Sequence, residues 1–279
     1  MTARARIVVT YQGLSDSATV SAIPRYPMVI NRNKSVVLIN SDGTGATTLA
    51  TVNTTWYSLG PKSVSATPNV VFYDNDPYTY GKLWVVQPGG TPRLLLGNTM
   101  QSVGWSRLSP DGTWVYFVRN WSSLWRVHLD GTGLDSLTAF SAIGGTNPTP
   151  TIAPDGGSVA VAENNGIRVF DLAARTSSIV PFTCGEARHS PDGAYFACMD
   201  QLGLTVVRSD GTGQRYVTDL FQYSPDQTSG LDWSPDGKFV LASTLYGGAI
   251  LVEVSSGTVI PLTALGPDLN QVRDASFIR

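Results

Sequence analysis

The sequence predicts an all-β chain folded as a six-bladed β-propeller of four-stranded antiparallel blades, with the ring closed by the C-terminal strand joining the N-terminal blade. Three observations predict it. The turn word Ser109-Pro110-Asp111-Gly112 returns as Ala153-Pro154-Asp155-Gly156, Ser190-Pro191-Asp192-Gly193 and Ser234-Pro235-Asp236-Gly237, at separations of 44, 37 and 44 residues. A second word, Asp-Gly-Thr-Gly, begins at Asp42, Asp130 and Asp210, separations of 88 and 80, about two of the same periods. Between the words lie short β-branched and aromatic runs, while helical periodicity is nearly absent and Gly or Pro interrupts roughly every ten residues. Four-stranded sheets repeating at about 40 residues bury both faces by stacking radially, which is the propeller arrangement.

The elements follow in order. Residues 5–23 read as two alternating strands about a Gly-containing turn and do not fit a blade. Blade one has strands B, C and D at 28–30, 36–39 and 47–50, with no strand A before them. Blade two has B at 70–73, C at 83–86 and D at 93–96, Thr67-Pro68-Asn69 standing in for its first turn. Blade three is complete: A at 103–108, B at 114–118, C at 124–129 and D near 135–138. Blades four, five and six follow the turns at 153, 190 and 234, with C strands at 167–170, 204–207 and 250–254. In Ser-Pro-Asp-Gly, proline presets one backbone angle, aspartate bonds the local backbone and glycine takes the conformation side chains resist. Asp-Gly suggests a two-residue hairpin loop with both residues at positive φ. The missing strand A is expected at the C-terminus, where Arg273-Asp274-Ala275-Ser276 aligns with Leu231-Asp232-Trp233-Ser234, 42 residues earlier. Its insertion beside residues 28–30 leaves no open sheet edge.

Composition excludes several function classes. The 279 residues are 42% apolar and 14% charged, which is not the composition of a disordered chain. No stretch reaches the roughly 20 apolar residues of a membrane span. Net charge is −2 without runs of one sign, so the electrostatic footprint of a nucleic-acid or acidic-membrane binder is missing. After Met1 to Arg6 the apolar run is too short for the core of a secretory signal, so the protein is either cytoplasmic or trimmed of one.

The segments Leu108-Ser109-Pro110-Asp111-Gly112-Thr113-Trp114-Val115-Tyr116-Phe117-Val118 and Leu124 to Thr138 are similar to the TolB-like, WD-related propeller repeat, a resemblance that covers roughly residues 24–279. It implies a six-bladed propeller, usually exported, often used to dock other proteins. Some members of that group are propeller domains of serine peptidases, and others are sugar-active lyases. Fold alone does not choose between them. Residues 5–23 resemble the closing hairpin of a group 2 bacterial immunoglobulin-like domain. That implies two domains, 1–23 and 24–279, within a longer surface or periplasmic protein. The alternative is a hairpin packed on the propeller's side.

Candidate chemistry is sparse. His189 fills the position before a turn that Leu108, Ile152 and Trp233 fill elsewhere, and His128 lies in a C strand, so both read as structural. No Gly-x-Ser-x-Gly elbow occurs, and a Ser-His-Asp triad has no evident home. Asp111, Asp155, Asp192 and Asp236 recur because the turn uses them. Asp74-Asn75-Asp76 lacks the spaced carboxylates of a known calcium loop. Cys184 and Cys198 flank the 190–193 turn and are expected opposite each other on strands A and B of blade five, either as a disulfide or as two buried hydrophobes.

The functional signal is sidedness. A–B and C–D turns emerge on one face of the ring, B–C and D–A loops on the other. The second face carries the aromatic residues Trp56, Tyr57, Tyr78, Tyr80, Trp121, Phe221, Tyr223 and Tyr246. Such residues on loops of a rigid scaffold form binding hot spots, and some also fill gaps between blades. The inner A strands are expected to line the channel with Lys62, Gln101, Asn147, Glu186, Arg188, Asp232, Arg273 and Asp274, a mixed-sign funnel suited to a peptide or small polar ligand. The resulting expectation is a monomeric, non-catalytic binding or scaffolding module outside the cytoplasm, in the periplasm or at the cell surface, with no metal or cofactor. Its partner is a protein or peptide, or else a carbohydrate, and not nucleic acid or a membrane interior. The rival readings are a carbohydrate-binding or lyase-like propeller and a propeller cut from a serine peptidase.

Overall fold

The structure, a computed structural model, describes residues 4–11, 14–21, 25–32, 35–51, 63–64, 69–74, 81–97, 103–120, 122–139, 149–200, 203–223, 230–244, 248–262 and 272–278. The chain opens with an antiparallel hairpin, β1 (Arg4–Tyr11) and β2 (Leu14–Ser21). Blade one contains β3 (Pro27–Arg32), β4 (Ser35–Asn40) and β5 (Thr47–Thr51). Blade two is β6 (Ser63–Val64), β7 (Val70–Asp74), β8 (Lys82–Val86) and β9 (Arg93–Leu96). Blade three is β10 (Val103–Leu108), β11 (Trp114–Arg119), β12 (Ser123–His128) and β13 (Asp135–Ala139). Blade four is β14 (Thr151–Ile152), β15 (Ser158–Glu163), β16 (Gly166–Asp171) and β17 (Thr176–Val180). Blade five is β18 (Glu186–His189), β19 (Tyr195–Met199), β20 (Gly203–Arg208) and β21 (Arg215–Asp219). Blade six is β22 (Asp232–Trp233), β23 (Phe239–Thr244), β24 (Gly248–Glu253) and β25 (Val259–Pro261), and β26 (Val272–Phe277) follows.

The predicted architecture is the observed one: six four-stranded antiparallel blades, with β26 pairing with β3 to complete blade one. The alignment of the closing strand is corrected by two residues. Ile278 N–H donates to Pro27 O, as Ser234 N–H donates to Phe239 O, so Phe277 is the counterpart of Trp233 and Ser276 of Asp232. The Asp–Ser match that suggested the other alignment is coincidental. The position beside the turn must hold a large side chain, and Phe277 is 2% exposed.

Alternating strands deliver their apolar residues to six clusters, one between each pair of neighbouring blades. The cluster between blades six and one joins Met28, Ile30, Phe239, Leu251 and Phe277, so closure buries an apolar core of the same kind as the other junctions. Tyr26 stacks edge-on against Phe277 at 5.3 Å.

The turns behave as local chemistry dictates, with one correction. Ser109 Oγ accepts from Trp114 N–H at 2.9 Å, and Asp111 Oδ1 accepts from Thr113 N–H at 3.0 Å. Blades five and six repeat these bonds. The Asp-Gly words are not two-residue loops. His128 N–H donates to Thr132 O and Gly131 N–H to His128 O, and Gly131 has φ 94° while Asp130 stays at negative φ. This is a type I turn followed by a left-handed glycine. The glycine has a second use: a Cβ on Gly211 would lie 2.9 Å from Val180 Cγ1 of the preceding blade.

Candidate functional site

The inner strands present one equivalent position in every blade: Ser63, Arg107, Thr151, Arg188, Asp232 and Ser276, separated by 44, 44, 37, 44 and 44 residues. Around this ring the long polar side chains interlock. Arg188 Nε donates to Leu231 O at 2.8 Å and Nη1 to Thr149 O at 3.1 Å, joining blades five, six and four. Its Nη2 pairs with Glu186, two residues nearer the loop face. Arg107 Nη1 donates to Ser276 Oγ at 3.0 Å and Nη2 to Leu231 O at 3.2 Å, with Asp232 Oδ2 3.8 Å from Nη1. Blade three faces blade six across a six-bladed ring, so the Arg107 side chain spans the channel axis. A β-bulge between Gly104 and Arg107, with Trp105 at φ 46°, re-aims this strand.

Asp232 in turn holds the closing strand. Its Oδ2 accepts from Phe277 N–H at 3.0 Å and its Oδ1 from Trp233 N–H at 3.0 Å. Trp233 Nε1 donates to Arg188 O at 3.0 Å. Arg107, Arg188, Glu186 and Asp232 are all buried, which is tolerable only because each charge is met by an opposite charge and by hydrogen bonds. Glu186 Oε2 is buried with no hydrogen-bond partner among the described residues.

Of the residues expected along the channel, the structure brings Glu186, Arg188 and Asp232 together in this network. Lys62, Gln101 and Asn147 lie outside the described residues, and Arg273 and Asp274 are placed on β26 by backbone only. Sequence reasoning missed Arg107. It took Arg188 and Asp232 two positions before the turn serine but Gln101 for blade three; the same offset from Ser109 finds Arg107.

On the loop face, Trp56, Tyr57, Tyr78, Tyr80, Trp121 and Tyr246 lie outside the described residues. Tyr223 ends the 3-10 turn Phe221–Tyr223, and its ring packs against the cluster between blades five and six. Phe221 does the opposite. It is 72% exposed, while Leu220 beside it is fully buried. Asp219 Oδ1 accepts from Phe221 N–H at 2.7 Å, and Tyr223 N–H donates to Leu220 O at 2.8 Å, so the exposed ring stands on an anchored turn. On the opposite face a groove of about 550 Å³ between blades five and six is lined by Pro191, Tyr195, Arg215, Trp233, Pro235 and Asp236. Burial opposes ionisation of Asp236, but hydrogen bonds from Ser234 and Lys238 outweigh it and hold its carboxyl at about 2.

The histidines are placed as core and strand residues. His189 is buried against Phe196, ring centroids 4.2 Å apart, and His128 stacks on Trp114 at 3.5 Å. The side chains of Asp74, Asn75 and Asp76 lie outside the described residues. Among the described residues no group of three or more His, Cys, Asp or Glu is arranged to hold a metal, and no helix is long and apolar enough to cross a membrane.

Neither protein-family models nor curated protein sequences give a match to the chain. Solved structures do, TolB-like six-bladed propellers among them. TolB from Acinetobacter baumannii superposes with a TM-score of 0.72 at 14% identity, covering 91% of this chain and 66% of that one, just under two thirds of its length. A chain of the nidogen/laminin complex gives 0.69 at 11% identity over 91% and 98%. Oligogalacturonate lyase from Vibrio parahaemolyticus gives 0.58 at 13% over 81% and 73%. At these identities the likeness establishes the fold.

Proposed function

We propose that this chain is a non-catalytic binding or scaffolding propeller of an exported bacterial protein, recognising a protein or peptide through the aromatic loop face and the adjoining channel mouth. The observation that carries the reading is Phe221, a large apolar ring 72% exposed on an anchored turn of that face. Exposed rings on rigid supports lose little entropy on binding and make hot spots. Glu186 lies toward the same mouth, buried, with one carboxylate oxygen that has no partner among the described residues. Likeness to TolB and to a chain of the nidogen/laminin complex supports a protein partner and a place in the periplasm or at the cell surface. On the same reading, β1 and β2 are the end of an immunoglobulin-like module.

The test replaces Phe221, Trp121 and Tyr80 with alanine and measures partner capture by crosslinking from envelope extracts beside thermal unfolding. Capture is lost while the midpoint moves by less than about 2 °C, as expected of surface substitutions. Capture unchanged by all three replacements would sink the reading. Likeness to oligogalacturonate lyase supports a second reading, a carbohydrate-binding or lyase-like propeller. A glycan array and a cleavage assay on uronic-acid polymers separate the two.

A further inference from the structure

Blades four and five are joined by a short connection, residues 181–185, which carries Cys184. The expectation that Cys184 faces Cys198 across strands A and B does not hold. Cys198 pairs with Ala187 in the ladder, and Cys184 precedes β18. The chain instead bends at the connection, where Phe182 N–H donates to Val180 O at 2.8 Å and Gly185 N–H to Met199 O at 3.0 Å. The bend carries Cys184 into the apolar cluster between blades four and five that also holds Cys198, Phe196, Ile167 and Val207. Both thiols are free and buried there, 4% and 2% exposed, as members of one cluster and near enough that Cys184 perturbs the Cys198 thiol. Nothing in the channel network or on the loop face uses them.

We propose that Cys184 and Cys198 are a redox modification site that closes to a disulfide during folding when a disulfide-bonded thiol oxidant is present. The step balances by two exchanges. The Cys184 thiolate attacks one sulfur of the donor disulfide and releases one donor thiol. The Cys198 thiolate then attacks Cys184 Sγ in the mixed disulfide and releases the second. One S–S bond forms as one breaks, two electrons pass to the donor, and the two cysteine protons end on its two sulfurs. Burial, and after it the neighbouring Cys184, push the Cys198 thiol well above its ordinary value in the folded chain. A buried thiol of that kind attacks slowly, so the folded reduced pair is inert and oxidation belongs to the stage before the cluster closes. The bond would staple the blade-four connection to β19, two residues from Glu186.

The 279-residue chain is denatured, reduced and refolded in a buffer of oxidised and reduced glutathione, and in parallel the folded reduced chain is exposed to the same buffer. Refolded protein is expected to lose two alkylatable thiols, yield one crosslinked peptide containing Cys184 and Cys198, and melt about 5 °C above the Cys184→Ala and Cys198→Ala chains. The folded reduced chain is expected to oxidise at least about tenfold more slowly. Refolded protein that keeps two alkylatable thiols, or carries glutathione on each, would overturn the proposal. So would a bonded form that melts no higher than the alanine chains. Partner capture plays no part in these readouts, so their failure is separate from failure of the recognition reading.

Discussion

Replacing Arg107 with methionine keeps most of the buried stem and removes the guanidinium that spans the channel. The hydrogen bonds to Ser276 Oγ at 3.0 Å and Leu231 O at 3.2 Å disappear, together with the 3.8 Å approach to Asp232. Breaking a buried ion pair costs about 3–5 kcal/mol. The lower end applies, because Asp232 keeps the amides of Phe277 and Trp233 at 3.0 Å each. About 3 kcal/mol in a chain of this size lowers the thermal midpoint by about 6–10 °C. Ser276→Ala, which removes only one neutral acceptor, should cost about 1 kcal/mol. Because Arg107 grips the closing strand from across the ring, hydrogen exchange should quicken first in β26, ahead of the blade-five amides. A double-mutant cycle of Arg107→Met with Asp232→Asn should show coupling of at least about 1 kcal/mol. A loss below about 1 kcal/mol, additive energies, or unchanged protection of β26 would refute the reasoning.

Phe277→Ala empties the junction between blades six and one, where the ring meets Tyr26 at 5.3 Å. It should destabilise the chain by about 3–5 kcal/mol in denaturant titration, whereas an effect under about 1 kcal/mol would mean that β26 does not close the ring. Acid should weaken the fold through the turn aspartates. The Asp236 carboxyl is held at about 2, and the serine hydroxyls hold those of Asp111 and Asp192 below their ordinary value. Depressed carboxylates contribute stability above their unfolded pKa, near about 4, and lose it as pH falls through the folded value. The thermal midpoint should therefore drop between about pH 4 and about pH 2, less steeply for Asp236→Asn. A midpoint that rises across that window would contradict the assignment.

How much of this was legible in the sequence depends on whether a feature is local. The Ser-Pro-Asp-Gly turns fix where strands A and B meet, because each hydrogen bond in them lies within five residues, and blade number follows from their period. The Asp-Gly loops were located correctly but given the wrong geometry. The dipeptide suits several hairpin turns, and the choice was made by the width of the loop, with His128 bonding to Thr132. Closure was legible in kind and misjudged in register. Identity of Asp and Ser points to one register, whereas the requirement for a bulky residue beside the turn, which Leu108, Ile152, His189 and Trp233 meet, selects Phe277. Pairings such as Arg107 with Ser276 are 169 residues apart and leave no local trace, though the offset of Arg107 from its turn was readable.

The interlocked ring changes what the channel can do. An open mixed-sign funnel would let a ligand thread between the two faces, and binding on one face would then be felt on the other through shared occupancy. With Arg107 bonded to blades six and one, and Arg188 to blades four and six, the inner strands are cross-tied two residues before the turn serines, where these side chains bond to one another and to the backbone. A peptide entering from the loop side would have to break these bonds to go deeper, and each bond to a charged donor is worth about 1.5–3 kcal/mol. On the proposed reading, docking at the mouth around the exposed Phe221 ring avoids that cost.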